Sequence, residues 1–292
     1  MTAYEWDERI AYLRNTRWLF YNDDYLEFLV RGVWKIDKPV KLVDYGCGYG
    51  YLGLKLLPLL PEGSSYTGID KGVRLLGEAR ELFSRLTYPS AFIEGDIETI
   101  EIAREYDIAL SHAFLLHMTE PERILRKMRN SVVNGGRVIC FEPHWIGCMA
   151  NFALEGAAQS SIIPLGVLQK LYETDAARTS KDGNIGMRLP ILMSQLGMKQ
   201  VGCRMSDRVN FLDQHMDPEG KEALYFALRE GGFAQEPADL VEMVARLRQR
   251  GLDEEEAAEQ AEAERRLAEI FTSSSWLTGA DNMMISFGIV ED

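Results

Sequence analysis

The stretch Val43-Asp44-Tyr45-Gly46-Cys47-Gly48-Tyr49-Gly50 constrains this chain more than any other. Ahead of it, VKLVDYG is a short apolar run ending in turn residues, the pattern of a buried parallel strand. Behind it, YGYLGLKLLPLL carries leucines at helical spacing until Pro61-Glu62-Gly63 breaks the pattern. A strand that passes through three closely spaced glycines into a helix lets backbone approach a ligand closely. It also points the free N–H groups of the helix start at that ligand.

The rhythm continues. SSYTGID, SAFIEGD, YDIALS and RVICFEP read as further buried strands, the last entered through an Asn134-Gly135-Gly136 turn. KGVRLLGEARELFSRL and PERILRKMRNSV read as the intervening amphipathic helices. Such alternation implies right-handed crossovers and a doubly wound sheet covered on both faces. After Trp145 the pattern turns mostly helical, and MKQVGCRMSD and NMMISFGIVED then read as two more strands. The expected fold class is α/β: a doubly wound, mostly parallel seven-stranded sheet with an antiparallel last strand, plus helical additions. The expected division is an N-terminal helical cap at 1–37, the core at 38–146, a helical cover at 147–197, the last two strands at 198–207 and 280–292, and an acidic helical insertion at 208–279.

The 292 residues suffice for an ample core, and the formal net charge of −13 argues against sequence-independent nucleic-acid binding. Much of that charge is local, because Asp213 to Glu269 holds 16 acidic and 7 basic residues. The insertion therefore reads as a solvated lid or a homodimer surface, and the whole-chain argument against nucleic acid is weakened. RGLDEEEAAEQAEAERRLAEIF is its clearest helix, with Asp253 and Glu256 in capping-box spacing. No apolar run approaches the length of a membrane span and the N-terminus lacks a signal-peptide core, so a cytoplasmic location is expected. Cys47, Cys140, Cys148 and Cys203 form no C-x-x-C pair, and His112 and His117 are spaced poorly for one helical face, so no metal site is expected.

Two ligand classes compete for the glycine turn. Gly48, Gly50 and Gly53 satisfy G-x-G-x-x-G, which would suit an NAD-dependent oxidoreductase. Asp44 with Gly46, Gly48 and Gly50 satisfies D-x-G-x-G-x-G. A carboxylate in the turn repels a pyrophosphate but suits a ligand carrying an ammonium and a sulfonium. Asp70, followed by Lys71, ends the second strand where an acidic residue can accept ribose hydroxyls. Asp96 and Ile97 follow the third strand, where a carboxylate and an apolar side chain can take an adenine. Ser111 ends the fourth, beside the first strand at the topological switch point.

With these residues in order, the chain resembles the class I S-adenosylmethionine-dependent methyltransferases over Lys38 to about Trp145. The resemblance implies S-adenosylmethionine as cofactor, with Asp44, Gly46, Cys47 and Gly48 around the methionine part, Asp70 and Lys71 at the ribose, and Asp96, Ile97 and Ser111 toward the adenine and the switch point. Cys47 reads as a small side chain that fits the turn. A helix before the core, carrying Arg14, Arg17, Trp18, Tyr21 and Tyr25, would close over the cofactor or simply dock on the core.

Methyl transfer mainly needs alignment and exclusion of water, and a base only when the acceptor must lose a proton. His112, His144 and Glu142 are the candidates for that base, and Glu142 could instead be a buried carboxylate that shapes the pocket. Tyr21, His117 and Trp145 are candidates for holding the acceptor, and Met149, Phe152, Leu154, Ile162, Ile163 and Leu165 for lining its pocket. The expected activity is methylation of a small molecule. The alternatives are an RNA or protein methyltransferase, disfavoured for amino-directed nucleic-acid enzymes by SHAF after the fourth strand, and an inactive cofactor-binding scaffold.

Overall fold

A computed structural model describes residues 5–235 and 239–292. Residues 1–4 of the expected cap and 236–238 of the expected insertion lie outside that description. The chain opens with α1 (Ile10–Thr16) and α2 (Asp23–Phe28). The helical spacing of the segment suggests one helix, but Asn22-Asp23-Asp24 starts a new one. Asn22 is extended, two carboxylates occupy the first turn of α2, and both the N–H and the side-chain amide of Asn22 bond to Asp207 at 3.1 and 2.7 Å.

The core then follows: β1 (Lys41–Tyr45), α3 (Tyr51–Leu56), β2 (Ser65–Asp70), α4 (Val73–Phe83), β3 (Ser90–Glu94), β4 (Tyr106–His112), α5 (Pro121–Ser131) and β5 (Val132–Pro143). Asn134-Gly135-Gly136 does not lead into this last strand as a turn. It is an irregularity inside it, with Gly135 at φ 83° donating its N–H to the Val290 carbonyl at 2.8 Å. The chain continues through α6 (Trp145–Ala150), β6 (Phe152–Leu154), α7 (Leu165–Thr179), α8 (Leu189–Gln195), β7 (Lys199–Met205), β8 (Asn210–Leu212), α9 (Pro218–Glu230), α10 (Leu240–Gln249), α11 (Glu254–Ile270), β9 (Leu277–Gly279) and β10 (Met283–Ile289).

Seven strands form one sheet in the order β3-β2-β1-β4-β5-β10-β7. β10 runs antiparallel to both neighbours, and β1 to β5 are mutually parallel. The strand order reverses at β1, whose neighbours are β2 and β4, so the glycine turn opens at the switch point where doubly wound sheets bind ligands. One apolar layer, including Leu29, Trp34, Leu56 and Phe141, covers one face; Tyr45, Leu125, Met128 and Leu189 belong to the layer on the other.

A second, three-stranded antiparallel sheet, β6-β9-β8, joins the cover to both ends of the insertion. Strands of three residues carry too little pattern to be read from sequence. Asp253 and Glu256 do form the capping box at the start of α11. Its apolar stripe is not left to solvent: Ala257 and Ala261 pack with Met243, Leu247 and Leu171, and Leu267 and Phe271 join Leu154, Leu168 and Leu228. Cover and insertion therefore share one core, seated beside the C-terminal ends of the sheet. No helix among the described residues is long and apolar enough to cross a membrane.

Candidate active site

The glycine turn is held from both sides. The N–H groups of Gly46 and Cys47 donate to the Ile69 carbonyl at 2.9 and 3.1 Å, tying the end of β1 to the end of β2. At Gly46 φ is 67°, and a Cβ there would meet the Phe114 ring at 2.1 Å, so only glycine serves. Gly50, at φ 83° and against Phe83, is the last residue before α3. Gly53 lies inside α3, where the Tyr66 ring would meet any Cβ at 2.4 Å; it serves helix–strand packing.

Above the turn is a cleft lined by Asp44, Gly46, Cys47, Gly48, Asp70, Tyr51, His112, Phe114 and His117. Asp70 bridges its two loops: Oδ2 accepts from Gly48 N–H at 2.9 Å and Oδ1 from Gly72 N–H at 2.8 Å. Asp44 is 1% exposed; its Oδ2 accepts from the Tyr66 hydroxyl at 2.7 Å and its Oδ1 has no partner. Burial pushes its pKa up to about 7, with the Tyr66 hydrogen bond opposing. The Cys47 thiol is pushed well up by burial and by the Asp44 and Asp70 carboxyls, so it stays protonated and packs.

The N-terminal segment forms the other wall. Trp6, Leu13 and Arg17 line the cleft, and the Trp6 and His117 rings sit 5.2 Å apart. Asp7 is buried and accepts the Leu75 N–H at 3.0 Å, which gives α4 a cap from a distant segment. Arg74 with Glu8 and Arg14 with Glu78 add ion pairs to this docking. Arg17 is half-buried; it forms no ion pair among the described residues, and its guanidinium lies 5.9 Å from the Phe20 ring centre.

Other sequence-predicted residues are placed differently. Asp96 is exposed and does not line the cleft; its Oδ1 caps a turn through Glu98 N–H at 2.9 Å. Ile97 is buried, with its carbonyl accepting from Lys127 Nζ at 2.6 Å. Lys71 is exposed after β2 and also lies outside the cleft lining. Ser111 is fully buried and donates to Glu142 at 3.0 Å.

Glu142, also fully buried, further accepts the N–H groups of Phe114, Leu115 and Leu116 at 3.1, 2.9 and 3.4 Å. Every oxygen is engaged in pinning the loop after β4. Burial still raises its pKa to about 7. It is a buried carboxylate that holds the loop after β4 and lines neither cavity. His144 is half-buried at the start of α6, its N–H bonded to the Asn282 carbonyl, and it lines neither cavity described here. His112 faces the cleft between Tyr21, Tyr51 and Phe141, with Nε2 unpartnered and its pKa held well below the usual range by burial and by Arg17. His117 is lowered to about 4 by burial first, then by Lys181, Arg17 and Arg9. Both imidazoles are neutral at pH 7.

A second cavity of about 360 Å³ lies on the opposite side of the N-terminal helix. Tyr12, Thr16, Leu19 and Phe20 face it, whereas Leu13 and Arg17 face the cleft, so α1 and the turn after it form a shared partition. Trp145, Met149, Phe152, Ile162 and Ile163 line this cavity. Leu154 instead packs in the core behind it, and Leu165 is 53% exposed on α7. Tyr21 is 3% exposed beside His112, its hydroxyl unpartnered and its ring lining neither space.

Sequence reasoning missed the polar lining from Arg250, Gln260 and Glu264 of the insertion and from Asp281 just before β10. A signal was present. Gln260 and Glu264 fall on the same helical stripe as Ala257, Ala261 and Leu267, where an apolar face should carry no polar residue without a partner.

Known proteins agree with this architecture. Residues 36–177 match the family model described as methyltransferase domain. Ubiquinone biosynthesis O-methyltransferase of Proteus mirabilis is 30% identical over 100 residues, 34% of this chain and 40% of that protein. The chain spans less than half the length of the curated relatives it matches. A methyltransferase from Geobacter sulfurreducens in complex with S-adenosylhomocysteine superposes with a TM-score of 0.52 at 14% identity, covering 99% of this chain and all of that one. A Haemonchus contortus phosphoethanolamine N-methyltransferase gives 0.53 at 12% identity, covering 98% of this chain and 58% of that one. The chain thus matches a methyltransferase domain over residues 36–177 and has the class I fold of the methyltransferases it superposes on.

Proposed function

We propose that this chain binds S-adenosylmethionine in the cleft over the glycine turn and transfers its methyl group to a small molecule whose apolar body occupies the cavity beyond α1 and whose reactive atom reaches the cleft beside His112. One observation carries the reading. Two groups of opposite kind line the same cleft: the Asp44 carboxyl, whose Oδ1 has no partner, and the Arg17 guanidinium, which forms no ion pair among the described residues. They complement the ammonium and the carboxylate of an amino acid head group. Asp70, 6% exposed in the cleft wall, keeps lone pairs for ribose hydroxyls beyond the two N–H groups it already accepts. When bound there, the cofactor supplies a methyl group on a sulfonium, already a good leaving group.

The chain's own task is then alignment. An acceptor oxygen or nitrogen that received the methyl group would have to release a proton. Neutral His112, facing the cleft with a free Nε2, is the residue placed to take that proton. Tyr21, buried against the His112 ring, holds that imidazole in place. The likeness to a ubiquinone O-methyltransferase supports a small-molecule acceptor over RNA or protein, and the concave, largely apolar cavity supports it independently.

Calorimetric titration with S-adenosylmethionine, S-adenosylhomocysteine and NADH tests the reading. Binding of both sulfur nucleosides without NADH is expected, and binding of NADH alone overturns it.

A further inference from the structure

The 360 Å³ cavity is apolar over most of its wall, and its lining includes three acceptor-bearing side chains, Gln260, Glu264 and Asp281. Gln260 is 3% exposed and its Oε1 has no hydrogen-bond partner. Its orientation is fixed, because Nε2 donates to Glu264 Oε1 at 2.7 Å and a reversed amide would set oxygen against oxygen. The free end of the amide is therefore an acceptor. Glu264 lines the cavity beside it, and Asp281 does so from the chain entering β10. Arg250, the cation of the lining among the described residues, is paired: it forms two contacts to Asp175, Nε at 2.7 Å and Nη2 at 2.6 Å.

We propose that this cavity selects an apolar acceptor carrying a hydrogen-bond-donating, preferably cationic, amine, and rejects anionic acceptors. The inference deepens the reading of the cavity as the acceptor site and rests on it. A buried acceptor oxygen without a donor costs roughly 1–3 kcal/mol, which a ligand N–H recovers. Two carboxyl groups that face the same apolar space, with the nearby guanidinium neutralised, attract an ammonium and repel a carboxylate or a phosphate. Burial lifts the Asp281 pKa to about 7, so near pH 8 that carboxyl is mostly ionised and its discrimination is fully expressed.

Tyramine, tyrosol and 4-hydroxyphenylacetate share one phenolic frame and carry a cationic, a neutral and an anionic tail. Their affinities for the full chain, measured by calorimetry near pH 8 without cofactor, should fall in that order, with roughly tenfold or more between the first and the last. Gln260→Leu should weaken tyramine about fivefold or more, with the melting temperature reported alongside. Equal affinities, preference for the carboxylate, no binding of tyramine, or a Gln260→Leu variant that melts normally and binds tyramine unchanged each overturn the proposal. Because no cofactor is present, failure of S-adenosylmethionine to bind refutes the methyltransferase reading separately and leaves this ranking readable.

Discussion

Tyr66 donates a 2.7 Å hydrogen bond to one oxygen of Asp44 and leaves the other oxygen of that carboxyl buried at the cleft without a partner. The Asp44 pKa is raised to about 7, chiefly by burial. A bound ammonium stabilises the ionised form, so binding drives a proton off Asp44 wherever the empty site is still protonated. Affinity for S-adenosylhomocysteine should therefore rise from pH 5.5 to pH 8 and level off above it. Asp44→Asn should bind more weakly and lose most of that slope. Calorimetry in two buffers of different ionisation enthalpy checks the proton count, and a pH-independent affinity in the parent protein would count against the assignment of Asp44.

Arg17 reaches the cleft from the turn after α1 and forms no ion pair of its own among the described residues. A charge-assisted hydrogen bond to a carboxylate is worth about 1.5–3 kcal/mol. Arg17→Ala should then weaken S-adenosylhomocysteine by roughly 10- to 100-fold. It should weaken 5′-methylthioadenosine, which lacks the amino acid head group, by less than about threefold. Equal losses for the two ligands would place Arg17 elsewhere.

How far the sequence carried this site depends on the range of the interactions. Asp44, Gly46 and Asp70 sit in a local strand–turn–helix pattern, and the turn needs those residue types wherever it occurs. Their place at the cleft was legible. Glu142 was ambiguous, because its pinning role comes from three N–H groups of a loop 26 to 28 residues away in the chain. The second cavity was legible only in part. It is closed by Gln260 and Asp281, brought to Met149 by the small sheet β6-β9-β8, whose three-residue strands leave no periodic trace. Asp96 looked like an adenine ligand by order and spacing alone, and its side chain instead closes its own turn.

Asp44, Glu142 and Asp281 each have a pKa raised to about 7, with burial the first cause in every case. A carboxyl whose folded pKa exceeds its unfolded value contributes stability that is complete below the unfolded pKa and lost as pH rises through the folded one. The unliganded chain should accordingly melt at a higher temperature near pH 5.5 than near pH 8. Asp281→Asn removes one of the three and should narrow the difference by raising the melting temperature at pH 8 more than at pH 5.5. Scanning fluorimetry across that range checks it, and a melting temperature that climbs steadily to pH 8 would contradict it.

Glu142→Ala leaves the Phe114, Leu115 and Leu116 N–H groups and the Ser111 hydroxyl without their acceptor in a fully buried place. Losing the partner of a buried, multiply bonded carboxylate costs about 3–5 kcal/mol. Urea denaturation should show a fall of that order at unchanged m-value. Glu142→Gln keeps one acceptor oxygen but turns the other toward N–H donors as an NH₂ group, so it should recover only part of the loss. If Glu142 were instead the base of the reaction, the Gln variant would fold like the parent and fail only in turnover.

The segment around Trp6 and Asp7 is docked over the cleft, through the Leu75 N–H, the His117 ring and the ion pairs of Glu8 and Arg14. A ligand beneath it must wait for that segment to lift, so its release rate reports the docking. Replacing the buried Asp7 acceptor removes a capping bond worth about 1 kcal/mol. Asp7→Ala should accelerate release of S-adenosylhomocysteine roughly fivefold if the segment must lift first, with a smaller acceleration of entry. Stopped-flow fluorescence reads both rates, Trp6 lying in the cleft wall itself. Unchanged release in a variant whose melting temperature has fallen would mean that the bond serves α4 alone and that the ligand leaves by another path.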